Sequence, residues 1–151
     1  MQIIDMRLRP PIKAWTKGTV VKTAMHYPRH CISFKGARSA WLESVEILFD
    51  ELDSAGEKWG VAMGRASSGA GNLGGVSNQE IVELLETYPK RFVGFLGVDM
   101  EAIPESLAEI RDLAKARGVK GISIEPGSGK VPRGSSDPSL DPVSELASEL
   151  K

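Results

Sequence analysis

Short apolar runs rich in β-branched and small residues alternate with amphipathic stretches along this chain. The runs fall at about residues 2–8, 59–64, 92–98 and 119–124. Their length and composition predict a β-strand in each. The stretches between them repeat apolar residues at steps of three and four, which predicts helices.

Four helices follow from this periodicity and from their terminal residues. The first is predicted from Leu42, Val45, Phe49 and Leu52, with a C-terminal cap at Gly56. The second is expected to have Asn78 as its N-cap and an apolar face of Ile81, Val82, Leu85 and Tyr88. The third is expected to open at Pro104 and to bury Leu107, Ile110 and Ala114. The fourth is expected to begin at Asp141 and to bury Val143, Leu146, Ala147 and Leu150.

Strand followed by helix, four times, predicts an α/β fold with a parallel sheet, because parallel neighbours need a crossover connection. Eight such units, about 250 residues, close a TIM (β/α)8 barrel. Residues 1–151 are therefore predicted to form one domain, the first half of such a barrel. The other half would come from a longer protein or from a partner chain, as in a homo-oligomer. Residues 10–38 lack helical periodicity and are predicted to form a long loop or lid.

Composition limits the partners and the compartment. The 151 residues include 19 Lys and Arg against 20 Asp and Glu, a net charge of −1 that gives no footprint for nucleic acid. No apolar stretch approaches the roughly 18 residues of a membrane helix. The single cysteine, Cys31, excludes an internal disulfide and fits a reducing compartment, so we expect a cytoplasmic protein.

Polar residues at the carboxyl ends of the strands are the candidate site, because ligands bind there in parallel α/β sheets. Alternation along the first strand directs three side chains into the barrel mouth: Asp5, Arg7 and Arg9. Its apolar side chains are expected to lie under the helices: Ile4, Met6 and Leu8. The next three strands end near charged residues: Arg65, Asp99 and Glu125.

Three arginines at one rim predict a substrate-binding pocket for a small carboxylate, since guanidinium groups bind planar oxyanions through two hydrogen bonds. Glu125 or Asp99 would be the catalytic acid or base. Two plainer interpretations stay open. In the first, the charges form a salt-bridge network that only neutralises the barrel mouth. In the second, Asp99 is a turn residue or a helix cap.

The loop after the second strand contains a Gly-x-Gly-x-x-Gly pattern at residues 69–74. A dinucleotide site is not expected, because residues 65–68 separate the strand from the first glycine and the helix starts too late. The loop is either a plain βα connection or contacts a ligand anion through its amides and the hydroxyls of Ser67 or Ser68.

Two further groups are interpreted as structural. His26, His30 and Cys31 are close in sequence, but Pro28 argues against the helix that would align them on a metal. The three tryptophans, Trp15, Trp41 and Trp59, are expected to be packing residues and not a set that stacks on a substrate. Trp15, which lies in the predicted lid, is the exception to test.

Four segments resemble the amidohydrolase-related family that includes aminocarboxymuconate-semialdehyde decarboxylase. They are residues 3–11 (IIDMRLRPP), 88–95 (YPKRFVGF), 118–121 (GVKG) and 137–138 (DP). The resemblance implies a TIM barrel and the hydrolysis or decarboxylation of small organic acids. It extends over the first half of the family's barrel.

The same resemblance implies a departure at the metal site. Members that bind zinc or a similar divalent ion carry His-x-His after the first strand, and the matching positions here are Arg7 and Arg9. Arginine has no lone pair for a metal, so we expect no metal and no other cofactor. The predicted function is a metal-independent hydrolase or decarboxylase of a small anionic organic acid. The alternative is a non-catalytic ligand-binding or assembly module on the same scaffold.

Overall fold

The computed structural model describes residues 3–17, 37–65 and 75–150. Four strands form one sheet in the order β1-β2-β3-β4, and every neighbouring pair is parallel. The strands are β1 Ile3–Asp5, β2 Glu57–Met63, β3 Phe92–Gly97 and β4 Val119–Ser123. The helices are α1 Lys13–Thr16, α2 Arg38–Leu42, α3 Val45–Ala55, α4 Asn78–Thr87, α5 Ile103–Leu113 and α6 Asp141–Glu149. This arrangement confirms the predicted parallel α/β architecture of a partial barrel.

One face of the sheet packs against the helices. Ala62 pairs in register with Gly94, and a Cβ atom on Gly94 would lie 2.7 Å from Leu85 and 2.8 Å from Ile81, both in α4. The fully buried side chains of this layer include Phe92, Leu96 and Ile110. Because this core joins the sheet to α4 and α5, it fixes where the carboxyl ends of β2 and β3 lie.

The first strand is shorter than predicted. Asp5 Oδ1 accepts a hydrogen bond of 2.8 Å from the backbone N–H of Arg7, a local contact that turns the chain after Asp5. Leu8 then rejoins β2, donating its backbone N–H to Val61 O at 3.0 Å, and packs against the core. Arg7 therefore lies in a turn beyond the strand.

The predicted burial of Ile4 and Met6 is wrong. Ile4 is 52% exposed and Met6 56% exposed. Ile4 pairs with Trp59, which is three residues before Ala62 and therefore lies on the opposite face of β2. The register thus places Ile4 on the sheet face away from the helices.

The helix predicted around Leu42 is two helices. Glu43 has a left-handed backbone conformation, with φ 47°, and separates α2 from α3. Ser44 then caps α3 by accepting a hydrogen bond of 3.2 Å from the N–H of Ile47. Leu42 is consequently 56% exposed instead of part of the apolar face. The predicted cap at Gly56 is confirmed, with φ 75°.

The N-cap of α4 is Ser77, one residue before the predicted Asn78. Ser77 Oγ accepts from the N–H of Glu80, and the Glu80 carboxylate accepts from the N–H of Ser77, a capping box. Lys17 also donates to Glu80 at 2.6 Å. Burial raises the pKa of Glu80, but the hydrogen bonds from Lys17 and Ser77 outweigh it and hold the pKa below its usual value.

The last two helices begin as predicted. Pro104 lies in the first turn of α5, and α6 begins at Asp141 and buries Val143 and Leu146. Ala147 is exposed and Leu150 is 42% exposed, so the predicted apolar face is too wide at its C-terminal end.

Part of the predicted lid lies among the described residues. Trp15, in α1, is 8% exposed and belongs to the core, as expected for a packing residue, whereas Trp41 is 55% exposed. Residues 18–36 lie outside the described part, so a lid over the site stays a prediction. The described helices include none long and apolar enough to cross a bilayer.

Candidate functional site

The carboxyl ends of β2 and β3 approach each other at two glycines. A Cβ atom on Gly97 would lie 2.5 Å from Gly64 O, so only glycine fits there. Just beyond Gly64, Arg65 exchanges backbone hydrogen bonds of 2.7 and 2.8 Å with Val76, an isolated antiparallel bridge. The N–H and C=O groups of Arg65 are thus both hydrogen-bonded, which fixes the position from which its side chain extends.

Three of the predicted site residues meet at one carboxylate oxygen. Arg65 Nη2 lies 2.5 Å and Arg7 Nη2 3.5 Å from Oε1 of Glu125. The Arg65 side chain is 17% exposed and the Arg7 side chain 61%. Arg65 and Glu125 therefore form a close, shielded pair, and Arg7 contacts the same oxygen loosely from the solvent side. The expected convergence of strand ends one, two and four is present.

Arg9 is exposed, and its guanidinium group interacts electrostatically with both members of this pair. Burial lowers the pKa of Arg9, and the positive charges of Arg7 and Arg65 lower it further. Glu125 and Asp5 act in the opposite direction. Arg9 remains cationic. We call Arg7, Arg9, Arg65 and Glu125 the arginine cluster.

Asp99 makes two short contacts at the start of the turn that leads into α5. Its Oδ1 accepts from the N–H of Glu101 at 2.9 Å, and its own N–H donates to Ser106 Oγ at 2.9 Å. These contacts are typical of a residue that shapes the turn into a helix, here α5. The geometry thus favours the turn interpretation of Asp99 over the catalytic one.

A cavity of about 720 Å³ lies beside the cluster, between the first turns of α4 and α5. Of the predicted site residues in the described part, Arg65 and Asp99 line it. Its other charged lining residues are one lysine, Lys17, and four glutamates: Glu80, Glu83, Glu105 and Glu109. An anion is therefore attracted to the arginine cluster and repelled by most of this cavity.

Asn78 holds this region together and was not identified as such from the sequence. Its buried amide donates to Gly97 O at 3.1 Å and to Glu109 at 2.9 Å, and its Oδ1 accepts from the N–H of Gly97 at 2.7 Å. The sequence indicated Asn78 only as a possible N-cap of α4, and in the structure the N-cap is the preceding residue, Ser77. The contacts of Asn78 span 19 and 31 residues, which local sequence does not reveal.

Several predicted features lie outside the described residues: Ser67, Ser68, residues 69–74, and the group His26, His30 and Cys31.

Arg7 and Arg9, which the resemblance places at the first metal-ligand positions, have side chains that do not fit a metal. The guanidinium groups of Arg7 and Arg9 carry only N–H donors and no lone pair for a cation. In the described ranges, no three His, Cys, Asp or Glu side chains are grouped to hold one either.

Comparison with known proteins agrees with the fold. The Amidohydrolase family model matches residues 19–151, a range that begins after Arg7 and Arg9. An uncharacterized TIM-barrel protein from Bordetella bronchiseptica aligns with a TM-score of 0.76 and 28% identity, over 99% of this chain and 52% of that one. 2,6-Dihydroxybenzoate decarboxylase from Rhizobium aligns with a TM-score of 0.51 and 16% identity, over 99% and 46%. No curated protein matches the sequence.

The second likeness shows the fold alone, and in both cases this chain spans about half of the related barrel. The four parallel β/α units thus correspond to part of a TIM barrel. Because the family model matches most of the length of this chain, the chain belongs to the Amidohydrolase family.

Proposed function

We propose that the chain contributes to an enzyme that binds a small organic acid at the arginine cluster and hydrolyses or decarboxylates it without a metal. The observation that carries the proposal is the meeting of Arg7 and Arg65 at one oxygen of Glu125, with Arg9 beside them. Arg7, Arg9 and Arg65 are the proposed anion-binding residues, with Ser67 and Ser68 on the neighbouring loop. Glu125 is the proposed acid or base.

The charge of the cluster supports an anionic substrate. The three arginines and Glu125 carry two positive charges in excess, and Asp5, the other carboxylate that acts on Arg9, reduces this excess to one. A bound carboxylate would neutralise that excess. Each hydrogen bond between charged partners contributes about 1.5–3 kcal/mol, and an arginine fork forms two with a planar carboxylate.

Glu125 is an ion-paired carboxylate, which favours a role as proton acceptor. In hydrolysis, water would attack the carbonyl carbon of the substrate while its proton moves to Glu125. Glu125 then returns the proton to the leaving group as the bond to that group breaks. In decarboxylation, the carbon–carboxylate bond breaks and CO₂ leaves. Glu125 takes a proton from a water molecule and passes it to the carbon that lost the carboxylate, and the hydroxide left behind combines with CO₂ to form bicarbonate.

The donor chemistry of Arg7 and Arg9 supports a metal-free mechanism, since two cationic side chains stand where the resemblance expects metal ligands. A guanidinium group can polarise an oxyanion or carbonyl, but it does not generate hydroxide as a bound metal does. The single cysteine supports a cytoplasmic enzyme. The remaining barrel strands would come from further chain or from a second copy.

Turnover by the purified full-length protein tests this function. We expect product from at least one member of a panel of small carboxylic acids that includes 2,6-dihydroxybenzoate, with the rate unchanged by EDTA. Glu125→Gln should lower kcat by about 100-fold or more, whereas the exposed control Glu86→Gln should keep it. Loss of turnover in EDTA with recovery in Zn²⁺ would refute the metal-free mechanism, and full activity of Glu125→Gln would refute the role of Glu125.

A non-catalytic assembly module is the second candidate. The exposure of Ile4 in edge strand β1 and of Met6 in the turn after it, 52% and 56%, favours it, because exposed apolar residues at a sheet edge are typical of a surface that another chain covers. Under this function, the protein binds carboxylates but no member of the panel is converted.

A further inference from the structure

The loop after β4 is fastened to the turn after β3 by side chains that the proposed mechanism does not use. Arg133 Nη1 donates a hydrogen bond to Met100 O at 2.9 Å. Glu101 Oε1 accepts one from the backbone N–H of Lys130 at 2.6 Å. Arg133 also donates its own backbone N–H to Pro126 O at 2.9 Å. We call these three hydrogen bonds the loop clasp.

The loop clasp brings the loop into close contact with the turn after β3. A Cβ atom on Gly129 would lie 2.8 Å from Glu101 Oε1 and 3.3 Å from the side chain of Met100, so the two segments touch at this point. Met100 is 3% exposed and belongs to the close-packed core. The contact between Arg133 and Met100 O therefore ties a surface loop to a rigid part of the molecule.

Glu125 lies at the foot of this loop, between two backbone carbonyl groups that both accept hydrogen bonds. Before it in the chain, Ser123 O accepts from the N–H of Val98 at 3.0 Å, which is part of the sheet. Directly after it, Pro126 O accepts from Arg133. The direction in which the Glu125 backbone leaves β4 is consequently set by the sheet on one side and by the loop clasp on the other.

We propose that Arg133 and Glu101 are positioning residues for Glu125. By holding the loop on the turn after β3, they keep the Glu125 carboxylate at the place where it meets Arg65 and Arg7. They act through the backbone and not by contact with the substrate. This inference rests on the proposed function, because it explains how the proposed acid or base is held in place.

The contacts of Glu125 are sensitive to its position. Its Oε1 lies 2.5 Å from Arg65 and 3.5 Å from Arg7. A displacement of the Glu125 backbone by about 1 Å would stretch the first contact to the limit of hydrogen bonding and carry the second beyond it. A misplacement of this size can lower the rate of a catalysed step about 100-fold.

Steady-state kinetics of the full-length protein separate positioning from binding. Arg133→Met removes the donor to Met100 O and should lower kcat about 10- to 100-fold. It should leave KM within about 2-fold of the wild type, because the proposed anion-binding arginines are unchanged. Arg133→Lys should recover part of kcat, since an ammonium group can still donate to Met100 O.

Glu101 offers a matched pair of substitutions at one position. Glu101→Ala removes the acceptor of the Lys130 N–H and should lower kcat about 2- to 10-fold, the equivalent of one hydrogen bond. Glu101→Gln keeps a side-chain oxygen that accepts this hydrogen bond and should behave as the wild type. Arg111→Gln, at an exposed ion pair with Glu149, is the control for loss of an arginine and should also keep its kcat.

NMR provides two readouts that need no turnover. The Nε–Hε resonance of Arg65 reports on its pairing with Glu125, and Glu125→Gln gives the reference for a neutralised partner. Arg133→Met should shift this resonance part of the way toward that reference, whereas Arg111→Gln should leave it in place. In the wild type, the backbone N–H groups of Lys130 and Arg133 should exchange with solvent at least about 10-fold more slowly than in an unstructured peptide, and this second readout does not depend on a variant that folds.

The outcomes separate this inference from the proposed function. If Arg133→Met keeps the kcat of the wild type, or leaves the Arg65 resonance unchanged, the positioning role is wrong while the chemistry proposed for the arginine cluster stands. Exchange of the two N–H groups at the rate of an unstructured peptide would contradict the loop clasp itself. If the wild type converts no acid, the proposed function fails, and the Arg65 resonance still decides whether Arg133 positions Glu125.

Discussion

Replacing Asn78 by alanine should lower stability more than any other single polar substitution on α4. The side chain is 6% exposed and links the first turn of the helix to the end of β3. In the variant, the buried N–H of Gly97 loses the acceptor that now lies 2.7 Å away. Glu109 loses a donor at 2.9 Å at the same time.

The magnitude follows from these contacts. A buried donor left without a partner costs about 1–3 kcal/mol, and a hydrogen bond to a charged group contributes about 1.5–3 kcal/mol. Glu109 is exposed, so water recovers most of the second contribution. We expect the free energy of unfolding to fall by about 3 kcal/mol. For a chain of this size, that corresponds to a decrease in Tm of about 6–12 °C.

Urea unfolding followed by circular dichroism measures this change. The matched control is Gln79→Ala, an exposed neighbour on the same helix turn, which should stay within about 0.5 kcal/mol of the wild type. Asn78→Asp separates the contacts, because it keeps an acceptor for Gly97 but loses both donors and faces Glu109. A loss below about 0.5 kcal/mol for Asn78→Ala would refute the proposed link between α4 and β3.

Three further substitutions test other parts of the structure. Gly97→Ala places a Cβ atom 2.5 Å from Gly64 O, so the backbone must shift and thermal unfolding should show a loss of about 1–3 kcal/mol; an unchanged Tm would contradict the close approach. Glu80→Gln should cost about 0.5 kcal/mol at pH 7, because it removes the charge that pairs with Lys17. Because the folded-state pKa of Glu80 is lowered, its advantage should be complete above its usual pKa and disappear as the pH falls through the lowered value. A difference in unfolding free energy that is the same at pH 7 and pH 3 would refute the Lys17 and capping contacts. Ile110→Ala, at a fully buried position, should cost about 2–5 kcal/mol in urea unfolding, and near-wild-type stability would place Ile110 outside the core.

The order of strands and helices was predictable because it depends on local periodicity. β2 and β3 and the helices that pack on them follow from apolar spacing and from terminal residues such as Gly56 and Pro104. The boundaries that were wrong depend on short polar contacts. Asp5 ends β1 early by accepting from Arg7, and Glu43 interrupts a helix that its apolar pattern continues.

The arginine cluster was partly predictable for a geometric reason. Parallel strands bring their carboxyl ends to one edge, so charged residues at those ends were expected to meet, as Arg65 and Glu125 do. The sequence did not distinguish the firmly held Arg65 from the loosely held Arg7, because that difference depends on distances and burial. It also missed Asn78, whose partners are distant along the chain and become neighbours only when α4 packs on β3.

A crystal structure of the full-length protein with benzoate tests the central claim most directly. The account predicts Arg65 paired with Glu125, and the benzoate carboxylate within about 3 Å of a guanidinium group of the arginine cluster. Side chains of Arg7, Arg9 and Arg65 that point away from one another, with no anion between them, would contradict it.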